Sequence, residues 1–207
     1  MEQFAAVATA HFLALLIPGV DFFLIARTAM RSGWRNATGV CLGIAVANGI
    51  LIAAAFSGVA LLSHPVLLDG IQVAGGAFLL VVGVAFVRSP VRIDMQQGPR
   101  MASVTWLRGA GLGITSGLLN PKNALFYVSL AAAVAAARPP ALVLYGAWMV
   151  TIVLGWDVFV AVVLGSRRAL ARMERVLPWL TKAAGGFLVV FGGGMIGSLA
   201  VRGLSSF

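Results

Sequence analysis

One stretch, from Gly117 to Phe126, limits what this chain can become more than any other. It reads Gly-Leu-Leu-Asn-Pro-Lys-Asn-Ala-Leu-Phe. Apolar residues flank it on both sides, enough to cross a bilayer, yet Asn120, Pro121, Lys122 and Asn123 occupy its middle. Proline lacks a backbone N–H and its ring clashes with the preceding turn, so a helix kinks or breaks there. A lysine at membrane depth costs roughly 3 kcal/mol on insertion scales unless it faces protein or water. Irregular backbone is tolerated in a bilayer only where it is buried in protein or lines a cavity. The stretch predicts a broken helix at the wall of a polar site.

A similar break occurs in the first half, at Leu15-Leu16-Ile17-Pro18-Gly19-Val20-Asp21-Phe22-Phe23. At an offset of 103, Leu15 matches Leu118, Leu16 matches Leu119, Pro18 matches Pro121 and Phe23 matches Phe126. Interrupted apolar segments at corresponding positions of two halves mark the binding site of many transporters. Pro18, Gly19 and Pro121 are the expected helix breaks.

Composition fixes the setting. Hydrophobic residues make up 60% of the chain and charged residues 10%. Soluble domains are nearer half and a quarter, so this is a polytopic membrane protein in contact with the lipid bilayer. A span takes about 20 residues, which leaves no room in 207 residues for a separate soluble domain. The net charge of +9 would suggest nucleic acid in a soluble protein. Here the arginines fall in short loops between apolar runs, and no nucleic-acid motif is found. Cys41 is the only cysteine, which excludes an internal disulfide and a cysteine metal cluster. Met1-Glu2-Gln3 lacks the basic region of a signal peptide, so the first apolar run is expected to stay as a span.

Six apolar runs follow, at about Phe4–Met30, Ala37–Leu62, Val66–Val87, Gly109–Ala137, Ala141–Gly165 and Leu180–Val201. A polar connection over about 88–108 separates repeat one (about 1–90) from repeat two (about 109–207), within a single transmembrane domain. A short basic segment ending at Pro178 precedes the sixth run. The loops after runs one, three and five hold Arg27, Arg31, Arg35, Arg88, Arg92, Arg100, Arg108, Arg167, Arg168, Arg172, Arg175 and Lys182. Arg138 and Arg202 are on the other side. The positive-inside rule places the basic loops in the cytoplasm and both termini outside. Three spans per half make the second half an inverted copy of the first. The glycine-rich runs at Ala74–Gly83 and Ala184–Gly192 support this, and an offset of 109 also pairs Asn48 with Asp157.

Several residues could carry chemistry. Asp21, just past the first break, could bind a substrate ammonium or carry a proton; it could equally cap the restarted helix. Lys122 opposes the dipole of its own helix start, so an anion is expected beside it: Asp21, Asp157 or a substrate carboxylate. Asn120 and Asn123 suit the backbone groups freed by Pro121, or a substrate. Asn48 and Asp157 are isolated polar residues in apolar spans, which is a site hypothesis by default. His11, two turns before Pro18, is read as structural. Two half-helix N-termini suit a carboxylate, and a nearby aspartate suits an ammonium, so the expected solute is small, polar and zwitterionic.

At these residues the chain resembles a known family. Pro18-Gly19-Val20-Asp21 is similar to a Pro-Gly-Pro-Asp signature, with Val20 in place of the second proline. Gly75-Gly76-Ala77-Phe78-Leu79 with Gly83, and Asn120-Pro121-Lys122-Asn123-Ala124-Leu125-Phe126, resemble its third and fourth spans. The family is LysE/RhtB, the lysine exporter and homoserine/threonine resistance group of bacterial amino-acid exporters. The resemblance covers nearly the whole chain. It implies efflux of amino acids or close derivatives across the cytoplasmic (inner) membrane, coupled to the proton gradient. Ala131-Ala132-Ala133-Val134 replaces the family's Pro-Gln-Phe-like element, and a smaller lining changes the pocket and with it the substrate.

The expected fold is an all-α integral membrane bundle of six helices, built as two inverted three-helix repeats with the first and fourth helices broken. The expected function is alternating-access export of an amino acid, with Asp21, Asn48, Asn120, Lys122 and Asn123 binding substrate. Asp157, as the more buried acid, and Asp21 are the expected proton-coupling residues. No cofactor is called for, and self-association into a homo-oligomer is left open. A metal-ion exporter would need clustered ligands, and Cys41, His11, Asp21 and Asp157 are scattered. A non-transporting accessory subunit would have no use for Lys122 and Asp21 at mid-membrane. An enzyme would need a nucleophile–base pair or a metal motif, and none is found.

Overall fold

The computed structural model describes residues 2–61, 65–88, 103–135, 137–164 and 167–204. Those residues are helical, joined by short turns. The chain runs α1 (Glu2–Leu15), α2 (Val20–Ser32), α3 (Trp34–Leu61), α4 (Pro65–Arg88), α5 (Trp106–Leu118), α6 (Pro121–Ala133), α7 (Pro139–Leu164) and α8 (Arg167–Leu204). Most of the expected polar connection, with Arg92, Asp94 and Arg100, lies outside the described residues.

Both expected breaks are present. α1 ends at Leu15 and α2 restarts at Val20, with the two axes bent by 52°. α5 ends at Leu118 and α6 restarts at Pro121. Among the described residues, α3, α4, α7 and α8 each hold a segment long and apolar enough to cross a membrane, and the bent α1–α2 pair makes a fifth. α5 and α6 have 13 residues each, roughly 20 Å of axis apiece, too short to cross singly.

Two boundaries differ from the sequence reading. The basic segment before Pro178 does not stop there: α8 runs through it for 38 residues. Its length, roughly 57 Å, exceeds the ~30 Å hydrocarbon core, so the arginine-rich start extends beyond the apolar part. A proline deletes one helical hydrogen bond and bends the axis, and long helix on both sides carries the chain past it. The second span starts earlier than expected, at Trp34, because Gly33 turns the chain. Its φ of 82° is a left-handed value that glycine adopts without Cβ strain.

Small residues set the helix spacing. A Cβ added at Gly43 would strike the backbone of Ala110 and Ile114, and one at Gly113 would strike Val40 and Gly43. α3 and α5 therefore pack backbone to backbone. α4 and α8 do the same reciprocally: Gly76 faces the carbonyl of Gly192 and Gly192 that of Gly76, while Gly83 and Gly185 face each other's carbonyls. α4 packs along α6, and α8 along α1, but neither has comparable packing with α2 or α5 among the described residues.

The apolar interior forms two clusters. One gathers Val7, Ile17, Ile52, Phe56, Leu79, Phe126, Leu130, Met149 and Leu188; the other gathers Phe22, Ile25, Val40, Ile44, Val153, Val160 and Leu164. Many large apolar side chains face outward, including Leu119, Val143, Leu144 and Val190. Such a surface suits lipid. The breaks fall between the two clusters.

Candidate functional site

A cavity of about 70 Å³ opens where the two apolar clusters meet. Ile17, Phe126 and Leu188 of one cluster and Phe22, Ile44 and Val153 of the other contribute to its wall. Its polar lining is His11, Asp21, Asn48, Asn120, Lys122, Asn123, Tyr127 and Asp157. Every substrate-binding and proton-coupling residue expected from the sequence thus lines one cavity.

The two helix restarts are built differently. At the second, the Asn120 side chain accepts the backbone N–H of Lys122 at 3.1 Å, and Pro121 takes the first helical position. Asparagine is a good N-cap and proline fits the first turn, where its missing N–H costs nothing. At the first, the N-cap is Gly19, in extended conformation and with no side-chain cap. The capping role considered for Asp21 does not occur there.

Asp21 instead ties the two breaks together. Its Oδ1 accepts a hydrogen bond from Ser116 Oγ at 2.7 Å, and its Oδ2 accepts from Asn123 Nδ2 at 2.9 Å. Asn120 Nδ2 is more distant, 3.4 Å from Oδ2. One carboxylate on α2 therefore holds the end of α5 and the start of α6. Lone-pair capacity remains, since an ionised carboxylate has about four acceptor sites.

Lys122 reaches back toward the first break. Its Nζ would lie 3.2 Å from a Cβ added at Gly19, and it stands 5.7 Å over the ring of Phe86 on α4. This is cation–π distance. Among the described residues the ammonium has no carboxylate in salt-bridge range, although Asp21 acts on it electrostatically. The anionic partner expected for Lys122 is thus not a direct protein contact.

Deeper in the lining, Asn48 donates from Nδ2 to the Ile44 carbonyl at 2.9 Å. Asp157 on α7 is 7% exposed, and its Oδ2 has no hydrogen-bond partner. Sequence reasoning missed Ser116 and Phe86. Ser116 lies one helical turn before Asn120, which was a usable signal. Phe86, one of many apolar residues in its span, gave none. Among the described residues no three His, Cys, Asp or Glu side chains gather as a metal ligand set.

Two helix N-termini, which favour an anion, meet the Lys122 ammonium and the Asp21 carboxylate at this cavity. A solute carboxylate beside Lys122 would suit both the N-termini and the ammonium.

The chain is similar to known efflux proteins. The chain is 26% identical over 202 residues to the threonine efflux protein of Escherichia coli K12, covering 91% of this chain and 95% of that one. The Salmonella typhimurium threonine efflux protein is likewise 26% identical over 203 residues, covering 93% and 96%. A leucine efflux protein of Klebsiella pneumoniae is 30% identical over 122 residues, covering 56% of this chain and 55% of that one. No solved structure matches. The family model described as "LysE type translocator" matches residues 12–198, a span that contains both breaks and all eight polar lining residues except His11 at its edge. The chain belongs to the LysE translocator family and is a multi-pass membrane transporter.

Proposed function

We propose that this protein is a secondary active exporter of amino acids or close derivatives across the bacterial inner membrane. The observation that carries the reading is the meeting of two helix N-termini and the Lys122 ammonium at one cavity between two apolar clusters. Full-length similarity to threonine efflux proteins supports the amino-acid class. Lys122 takes the solute carboxylate. The remaining lone pairs of Asp21 take the ammonium, with Asn48, Asn120 and Asn123 as further hydrogen-bonding groups. Asp157, buried and with an unpartnered oxygen, is the proton carrier.

Alternating access draws support from the packing. The α4–α8 pair closes on α6 and α1 in one half of the bundle, and not on α2 and α5 in the other. Rocking this glycine-joined pair toward α2 and α5 would exchange the open side. The reciprocal packing of Gly76 with Gly192 and Gly83 with Gly185 is what an inverted pair of repeats at offset 109 would produce. α5 and α6 together then form the sixth span. The basic loops face the cytoplasm and both termini lie outside.

The test is efflux of radiolabelled amino acids from loaded cells, comparing wild type with Lys122→Met at matched expression. Methionine keeps the apolar stem against Phe86 and removes the charge. Roughly a tenfold or larger loss of efflux is expected, the scale on which removal of a buried charged partner acts. Efflux at the wild-type rate would remove Lys122 from the site. Orientation is checked with Ser103→Cys in a Cys41→Ala background: labelling from outside intact cells would reverse the assigned topology.

A further inference from the structure

We propose that His11 forms a second subsite of this cavity, one that receives the side-chain hydroxyl or amide of the transported amino acid. The inference rests on the exporter reading above and deepens it. His11 is on α1, 1% exposed, and lines the same cavity as Lys122 and Asp21. It is four residues before the end of α1, roughly 6 Å of helix axis from the break, so it stands apart from the charged groups.

Neither ring nitrogen of His11 has a hydrogen-bond partner. Buried polar groups in native proteins are nearly all paired, and each one left unmade costs about 1–3 kcal/mol. Three rings stand around it: Trp148 at 5.8 Å, Tyr127 at 6.0 Å and Phe126 at 6.3 Å between centroids. A histidine kept for packing alone could be replaced by an aromatic ring of similar size, which would strand nothing. A neutral imidazole offers one donor and one acceptor. A hydroxyl or a carboxamide complements both, and an aliphatic side chain complements neither. The aromatic wall shapes the space and excludes competing bulk water. With the zwitterion held at the breaks, this pole reads the side chain.

Selectivity is the direct readout. Purified protein in detergent is titrated with threonine and with its near-isostere valine, following intrinsic tryptophan fluorescence, to which Trp148 and Trp156 beside the cavity contribute. Efflux of the same pair is measured in cells. The wild type is expected to prefer threonine at least tenfold, since a site built to hydrogen-bond a group rejects the analogue that lacks it. His11→Phe is expected to bring the ratio close to one while valine is still moved, and His11→Gln, which keeps a donor and an acceptor, to retain most of the preference. Equal wild-type affinities for threonine and valine would overturn the subsite whatever the variants do. So would an unchanged ratio in His11→Phe, which would mean that water alone occupies the pole. If the wild type moves no amino acid at all, the exporter reading fails first and the subsite with it.

Discussion

Asp21 is the residue whose removal has the most calculable consequence. It accepts two well-formed hydrogen bonds, from Ser116 at 2.7 Å and Asn123 at 2.9 Å. Hydrogen bonds to a charged group contribute about 1.5–3 kcal/mol each. The third contact, at 3.4 Å, is beyond the usual N–H···O range and counts for little. Asp21→Ala removes both good bonds and strands their donors, so a loss of about 3 kcal/mol is expected, using the lower end of that range. Asp21→Asn keeps an acceptor for Ser116 but sets its amide protons against those of Asn123, and should cost about half as much. Exchanging the pair, Asp21→Asn with Asn123→Asp, restores a donor facing a carboxylate and should recover 1 kcal/mol or more, within the ~0.5–3 kcal/mol coupling seen between touching residues. Cys41 gives the assay. It is the only cysteine and is buried in α3, so its reactivity toward a thiol reagent reports unfolding during titration with a denaturing detergent. A loss below 0.5 kcal/mol in Asp21→Ala, within the usual ±0.5 kcal/mol of featureless surface substitutions, would refute the claim that this carboxylate pins the two breaks. No recovery in the exchanged pair would refute the bond to Asn123.

Two further predictions concern the backbone. Gly43→Ala should cost about 1–3 kcal/mol in the same titration, the usual scale of overpacking, because its Cβ would meet the backbone of Ala110 and Ile114. Gly58→Ala meets nothing within 4 Å and should be neutral or slightly stabilising; equal costs at both positions would show that α3 and α5 are not in backbone contact. Val20→Pro should be neutral or stabilise by about 0.4–1 kcal/mol. Val20 opens α2 and is 65% exposed, and Gly19 before it is already extended, as a residue preceding proline requires. A loss above 1 kcal/mol, outside the ±0.5 kcal/mol typical of exposed sites, would show that the start of α2 does not have this geometry.

The sequence by itself determined the solvent and the punctuation of this protein. Apolar runs long enough for a bilayer, and the breaks at Pro18-Gly19 and Asn120-Pro121, are local properties: they depend on composition and on what proline does to its own turn. The polar residues marked at those breaks and in mid-span also converge, because a bilayer leaves few places for them other than a shared cavity. What each of them does was decided by tertiary packing. Asp21 could have bound a solute or capped its own helix; in the fold it bonds to Ser116 and Asn123, 95 and 102 positions away. That arrangement depends on where α5 and α6 are placed, and the glycines of α5 let it lie against α3. Lys122 called for an anion nearby, and it was packing that set the Phe86 ring beneath its ammonium. His11 looked structural, since a lone histidine in an apolar run carries no local sign of direction. Only the placement of α1 against α6 and α7 shows that both its nitrogens lack partners on a cavity wall. Helix periodicity tells which residues share a face. Which face meets which is set by close backbone approaches between segments far apart in the chain, and that information is in the fold.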